Sequence, residues 1–176
     1  MPHDFSRNHF ELFGLPPRFG LDAAALEHAY RGMQAEVHPD RYAHAGEAEK
    51  RLSMQWATRV NEAYQTLRRP FERARYLLEL QGIHAMDPNN TAMPPDFLMQ
   101  QMEWREALEE ARSGRDLGAL QRLEQSLRAV AQALQTELEG LLDERHDYAQ
   151  AAEVLRKYRF MEKLLAEIDA AYEDIE

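Results

Sequence analysis

The chain contains no cysteine. That excludes a disulfide framework, a thiolate zinc site, a cysteine nucleophile and thiolate ligands for an iron–sulfur cluster. Glycine and proline are sparse, eight of each in 176 residues, and they cluster instead of breaking the chain at regular intervals. No apolar run approaches the ~20 residues needed to cross a bilayer. The start, Met-Pro-His-Asp-Phe, lacks the basic and apolar regions of a secretory signal and the Arg- and Ser-rich character of a transit peptide. A cytoplasmic location is therefore expected. Positive charge is also in deficit: 21 Lys+Arg stand against 31 Asp+Glu, a formal net charge of −10. A general nucleic-acid binder needs a basic face to displace counterions, and docking on an anionic membrane needs a polybasic one. Neither partner is expected.

What is present is a helical pattern in two parts. Hydrophobic residues make up 44% and charged residues 30%, which suits a globular chain. Residues 1–84 carry 11 basic and 11 acidic side chains, whereas residues 85–176 carry 10 and 20. The whole acidic excess lies in the second half, so the halves should meet different partners. The longest turn-rich stretch, Gln81 to Pro95, coincides with this change. The expected organisation is one domain over 1–82, a linker over 83–94 and a second domain over 95–176.

Apolar residues recur at helical spacing almost throughout. A short first helix, about Asn8 to Phe13, precedes a turn from Gly14 to Gly20. Asp22 is placed to cap a second helix that carries Leu26, Tyr30, Met33 and Val37 on one face. The third should run from about Glu47 to Leu67, and Pro70 suits the first turn of a fourth. In the second half, one helix follows Pro94-Pro95 to about Arg112 and another starts near Asp116. The latter carries Leu120, Leu123, Leu127, Val130, Leu134 and Leu138. The last, about Ala149 to Ile175, carries Val154, Tyr158, Met161, Leu165, Ile168, Tyr172 and Ile175 at alternating +4 and +3, the seam of a bundle. The expected fold is all-α: a helical hairpin with two short flanking helices, then an antiparallel three-helix bundle.

His38-Pro39-Asp40 interrupts the pattern between the second and third helices. Proline disfavours α geometry at the residue before it, so the second helix should end at Val37 or His38. The proline also fixes its own φ and stiffens the turn. Asp40 is thereby offered at a rigid tip, able to accept hydrogen bonds from an arginine fork on a partner. His38 can orient the turn or contact that partner. The tripeptide also reads as an ordinary helix stop. A His/Asp acid–base pair or metal site would need a pocket and a third group, and the sequence offers neither. No catalytic residues and no metal ligands are assigned, and the chain is not expected to be an enzyme.

The acidic half has more apolar residues than one seam can use. Phe97, Trp104, Leu108 and Ala111 form one stripe of its first helix, with Leu98, Met99 and Met102 to one side. Phe160 falls outside the seam of the last helix. These four surplus side chains either widen the core stripe or form an exposed patch that marks a binding site. Periodicity alone leaves both open. Glu103, Glu106 and Glu110 follow at +3 and +4 on one face, and solvation alone would explain each of them.

The His38-Pro39-Asp40 turn sits between Ala29-Tyr30-Arg31-Gly-Met-Gln-Ala-Glu-Val37 and a helix ending in Asn61-Glu62-Ala63-Tyr64-Gln65-Thr66-Leu67. In this order the segments resemble a J-domain, the co-chaperone module that recruits and stimulates seventy-kilodalton heat-shock ATPases. Leu12-Phe13-Gly14-Leu15-Pro16, Thr66-Leu67-Arg68-Arg69-Pro70 and Ala74-Arg75-Tyr76-Leu77-Leu78 resemble the HscB branch of that family, as does a three-helix C-terminal half with Phe97-Leu98-Met99 near its start. The resemblance implies a co-chaperone of iron–sulfur cluster assembly, needing no cofactor of its own. It would carry an IscU-type scaffold protein to an HscA-type chaperone and stimulate its ATP hydrolysis. It implies chaperone contact through His38, Pro39 and Asp40, supported by Arg31, Arg41 and Asn61. It implies scaffold contact through Leu98, Met99, Met102 and Phe160, rimmed by Glu103, Glu106 and Glu110. The alternative is a general J-protein holdase that binds unfolded clients through the same patch. One departure stands out. J-domains usually carry several Lys or Arg along the second helix, and here it offers only Arg31, with Arg41 beyond the turn and Glu36 intruding. The absence of a cysteine-rich zinc segment favours the bacterial form.

Other signals are weak. Asp87-Pro-Asn89-Asn-Thr91 begins like a calcium loop but has Ala92 and Leu98 where glycine and glutamate are needed. His3, His9, His28, His44, His84 and His146 show no ligand spacing and are expected at surfaces or turns. Trp56 and Trp104 are expected in the core.

Overall fold

The computed structural model describes residues 4–175, so His3 lies outside the described residues. All regular structure among them is helical. The elements are α1 (His9–Leu12), α2 (Ala23–Val37), a 3₁₀ turn (Pro39–Tyr42), α3 (Glu47–Arg68), α4 (Pro70–Leu80), α5 (Pro95–Ser113), α6 (Leu117–Glu139), a π-helical turn (Gly140–Glu144) and α7 (Tyr148–Ile175). The chain divides into two compact units between Leu77 and Leu78. No helix among the described residues is long and apolar enough to cross a membrane.

In the N-terminal unit, local chemistry sets the helix ends. Asn8 and Glu11 cap α1 reciprocally, side chain to backbone in both directions, which satisfies amides the helix itself cannot. Asp22 accepts from the amides of Ala24 and Ala25 at the start of α2. Gly14 turns the chain after α1 at φ +63, a conformation glycine adopts without a steric penalty. α2 packs against α3, and Leu26, Val37, Trp56, Val60, Ala63 and Leu67 are buried. Trp56 takes its expected place in the core, and Phe5 stacks on it at 4.1 Å. His9 departs from expectation. It is half-buried, its ring stacks on Tyr76 at 4.3 Å, and its Nδ1 is buried with no hydrogen-bond partner. Burial, followed by the nearby Arg59, lowers its pKa below the ordinary histidine value.

In the C-terminal unit, α6 packs along α7, and α5 packs on both. Leu120, Leu127, Leu134 and Leu138 are buried, while Leu123 and Val130 are only half-buried. α7 buries more than one stripe. Val154, Tyr158, Met161, Ile168 and Ile175 are buried as their spacing predicts, but Leu155, Leu164 and Ala171 join them while Leu165 and Tyr172 are half-buried. A helix packed on two neighbours needs a wider apolar face than one seam supplies. The turn between α6 and α7 is a π-helical turn that periodicity does not reveal. The Arg145 amide donates to the Gly140 carbonyl at 3.0 Å. A Cβ on Gly140 would stand 3.0 Å from Arg145 Nη2, so glycine leaves room for that guanidinium. His146 then reverses the chain at φ 51.

Residues 83–94 belong to the C-terminal unit and fold onto α7. Ala85 is buried, and its carbonyl accepts from Arg156 Nη1 at 3.4 Å. Asp87 opens a local turn. Its carboxylate accepts the Asn89 amide, and no group of three or more His, Asp or Glu able to hold a metal occurs among the described residues.

Candidate functional site

Two surfaces collect the residues singled out by sequence, one in each unit. The first is the turn after α2. His38 is extended, with ψ 130, as a residue before proline should be. Its Nδ1 accepts the Asp40 amide at 3.2 Å, so the imidazole caps the turn that Pro39 opens. Tyr42 donates its hydroxyl back to the Glu36 carbonyl at 3.4 Å. Beneath the turn, the Ser53 hydroxyl donates to the Val37 carbonyl at 2.8 Å. Ser53 is fully buried, and its hydroxyl ties the last residue of α2 to α3. These contacts fix the backbone and leave the Asp40 side chain 92% exposed. An exposed carboxylate on a fixed backbone accepts a cationic donor at little entropic cost.

Asn61 is held by α2: its Oδ1 accepts the Tyr30 hydroxyl at 2.7 Å, and Gln34 donates to the same hydroxyl at 3.2 Å. The Tyr30 ring stacks on Tyr64 at 3.9 Å. His38, Pro39, Asn61, Gln34 and Val60 line one small cleft of about 160 Å³. Three of the expected chaperone-binding residues thus share a recess, and Arg41 lies within the 3₁₀ turn beside it. Arg31 stands apart, seven positions before His38. Its guanidinium donates to Glu27 at 2.7 Å, and that hydrogen bond raises its pKa above the ordinary value. Much of its charge is therefore answered within α2. Ser53, Tyr30 and Tyr42 also carry the geometry, and the sequence does not assign them these roles because their bonds join residues distant along the chain or depend on the 3₁₀ turn; Gln34 adds a bond to Tyr30 four residues before it.

The second surface lies on α5. Leu98, Met99 and Met102 are 46%, 64% and 72% exposed, so three of the four surplus residues lie on the outside of the helix. Phe97, Leu108 and Ala111 on the opposite face are buried. Glu103, Glu106 and Glu110 are exposed and continue the outer face from Met99 and Met102 at helical spacing. Phe160 differs from its companions. It is half-buried, 5.9 Å from Phe97 edge-on and stacked on Trp104 at 6.3 Å. Trp104 is likewise half-buried, so it forms a wall of this aromatic cluster instead of the core proper. Arg105 lies over the Phe160 ring at 5.4 Å and pairs with Glu167 at 3.0 Å. Lys157 lies over Phe97 at 5.6 Å. A second pair, Arg112 with Asp174 at 3.2 Å, also joins α5 to α7. Exposed pairs of this kind contribute little stability, but the clamped helix presents its methionines on a fixed backbone.

A family model described as the HSCB C-terminal oligomerisation domain matches residues 93–169. A curated relative from Aromatoleum aromaticum, named co-chaperone protein HscB homolog, is 55% identical over all of this chain and 99% of its own. The structure of chaperone HscB from Vibrio cholerae has a TM-score of 0.85 and 37% identity, covering 97% of this chain and 100% of that one. The crystal structure of human co-chaperone protein HscB has a TM-score of 0.87 and 32% identity, covering 96% of this chain and 83% of that one.

Proposed function

The chain belongs to the HscB co-chaperone family of iron–sulfur cluster assembly, and on that premise we propose that it delivers an IscU-type scaffold protein to an HscA-type chaperone and stimulates that chaperone's ATP hydrolysis. Residues 1–82 would engage the chaperone and residues 95–176 the scaffold, with 83–94 between them. The chaperone contact is the His38-Pro39-Asp40 turn, with Arg41, Asn61 and Arg31 in support. The scaffold contact is Leu98, Met99 and Met102, with Phe160 at its edge and Glu103, Glu106 and Glu110 along its rim. Delivery in the bacterial cytoplasm would need neither nucleic acid nor membrane. The chain's own part is to hold two proteins, which raises the scaffold's effective concentration at the chaperone.

The observation that carries this reading is the exposure of three large apolar side chains on α5, a helix whose opposite face is buried. Covering them would supply several kcal/mol gross, roughly 1.5–3 for each side chain, before the cost of association. That balance suits a complex that must later release its client. His38→Gln tests the chaperone half. It should fold normally, bind the scaffold and fail to stimulate the ATPase, and unimpaired stimulation would sink the assignment. Titration of purified IscU against Leu98→Ala, Met102→Ala and Phe160→Ala tests the other half. Three variants that bind like the parent would remove the patch from consideration.

A second reading, a general holdase, is favoured by the methionines at the centre of the patch, since unbranched thioethers adapt to many surfaces. A reduced, unfolded protein that competes with IscU for the chain would support it.

A further inference from the structure

Among the described residues of the N-terminal unit, two large apolar side chains are exposed, Phe5 at 44% and Met54 at 61%. Phe5 is accounted for: its ring stacks on Trp56 and carries the Arg59 guanidinium over its face at 6.0 Å. Met54 keeps most of its surface in water. A single exposed apolar residue needs no explanation, but Met54 is not isolated. It stands three and seven positions before Ala57 and Asn61, on the same face of α3. Those two residues line the cleft beside His38 and Pro39, together with the buried Val37 and Val60. The hydrogen bond from Ser53 to the Val37 carbonyl sets the height. The residue next to Met54 touches the last residue of α2, so Met54 stands level with the start of the turn. Pro39, Ala57 and Met54 therefore extend the turn by an apolar strip that continues onto α3.

We infer that Met54 is an apolar anchor for the ATPase chaperone whose contact is proposed at the His38-Pro39-Asp40 turn, and the inference rests on that reading. Continuity selects the occupant. A protein that reaches Asp40 and fills the cleft between His38 and Asn61 meets Met54 on the next turn of α3. The charge on α2 points the same way. Arg31 is the one Lys or Arg of that helix, and its guanidinium is answered by Glu27 at 2.7 Å, while Glu36 adds a negative charge near the turn. A surface with so little free positive charge gains its affinity from apolar burial. An unbranched thioether suits that part, since it adapts to the side chain it meets. The chaperone contact then has two components: a carboxylate on the turn that gives the signal, and a methionine on α3 that gives the grip.

The test measures the ATPase rate of a purified HscA-type chaperone against the concentration of the full chain. Met54→Ala should raise the concentration for half-maximal stimulation about tenfold. It should leave the maximum unchanged, because Asp40 is untouched. Met54→Leu should recover the parent value, and Arg31→Gln should shift it by less than about twofold. The urea midpoint of the N-terminal unit, followed by Trp56 fluorescence in a Trp104→Phe background, should be the same for Met54→Ala and its parent. Parent-like stimulation by Met54→Ala, with His38→Gln inactive, would overturn the anchor and leave the reading of the turn standing. Parent-like stimulation by both would overturn both. A lower urea midpoint for Met54→Ala would show that the side chain serves the fold, and would overturn the anchor. So would a larger shift from Arg31→Gln than from Met54→Ala, because charge on α2 would then carry the contact. If Met54→Ala changes only the sedimentation of the chain alone, or only its capture of a reduced, unfolded protein, a second copy or a client occupies the strip and the anchor is overturned.

Discussion

The turn after α2 and the outer face of α5 are built on opposite principles. The turn is almost all backbone placement. Pro39 fixes one dihedral, His38 accepts the Asp40 amide, and a buried hydroxyl ties Val37 to α3. Its chemistry is a single exposed carboxylate. The α5 face needs no special backbone: it is regular helix, and its chemistry is the side chains Leu98, Met99 and Met102. The difference teaches where each surface is vulnerable. The turn can be damaged from below, by changes that never touch a partner. The α5 face can be damaged only at the surface, and such changes leave the fold intact.

Each unit holds one of the chain's two tryptophans, Trp56 and Trp104, so Trp104→Phe and Trp56→Phe backgrounds report unfolding of each unit by fluorescence. The largest expected effect is on the proposed client surface. Met99→Ala combined with Met102→Ala should weaken IscU binding by about two orders of magnitude, roughly 3 kcal/mol, while urea midpoints of both units stay at the parent value. A fall in stability of the C-terminal unit would show that the methionines serve the core and would break the contrast. Next, Ser53→Ala should destabilise the N-terminal unit by about 1–3 kcal/mol, because it strips a buried carbonyl of its partner. Denaturant titration followed at Trp56 measures this, and ATPase stimulation should fall with it while IscU affinity is unchanged.

Acid and alkali should separate the units as well. The folded N-terminal unit holds His9 below its ordinary pKa of 6.5, so it favours the neutral ring. The stability this contributes is present above about pH 6.5 and is lost as pH falls through the lower folded value. In the C-terminal unit, the half-buried Tyr172 donates to Glu124 at 2.7 Å. Its pKa is raised from 10.0 to about 12 by burial first, then by that hydrogen bond. Its contribution is present below about pH 10 and is lost as pH rises toward 12. Denaturant midpoints of each unit against pH, with His9→Gln and Tyr172→Phe as controls, measure both slopes. A loss on the same side for both units would contradict this account. The smallest effect belongs to the rim. Glu106→Gln should reduce IscU affinity by a few tenths of a kcal/mol at low salt, and the difference should vanish at high salt as exposed charges are screened.

The helices were legible because their causes are local. Asp22, Pro39, Pro70 and Asp116 mark starts or stops by chemistry that operates within four residues, and the observed elements begin or end beside them. The outer face of α5 was half legible. Periodicity isolated Leu98, Met99, Met102 and Phe160 as surplus, but it does not say which surplus residue finds a neighbour. Phe160 meets Phe97 and Trp104 from another helix, and only tertiary structure brings those rings together. Ser53 was invisible for the same reason, since a serine inside an amphipathic helix gives no sign that a carbonyl sixteen residues earlier will sit above it. The π-helical turn was hidden because Leu141 and Leu142 continue the apolar pattern of α6 through it, both buried.

The exposed thioethers have a chemical consequence. With no cysteine in the chain, methionine is its readily oxidised sulfur, and Met99 and Met102 are highly accessible. Conversion to the sulfoxide would place a polar, chiral S=O at the centre of the α5 face. Client affinity would drop without unfolding either unit, and methionine sulfoxide reductase would restore it. Met54 on α3 is comparably exposed, so oxidants would reach both units, but only on the α5 face would the sulfoxide fall on the proposed client surface.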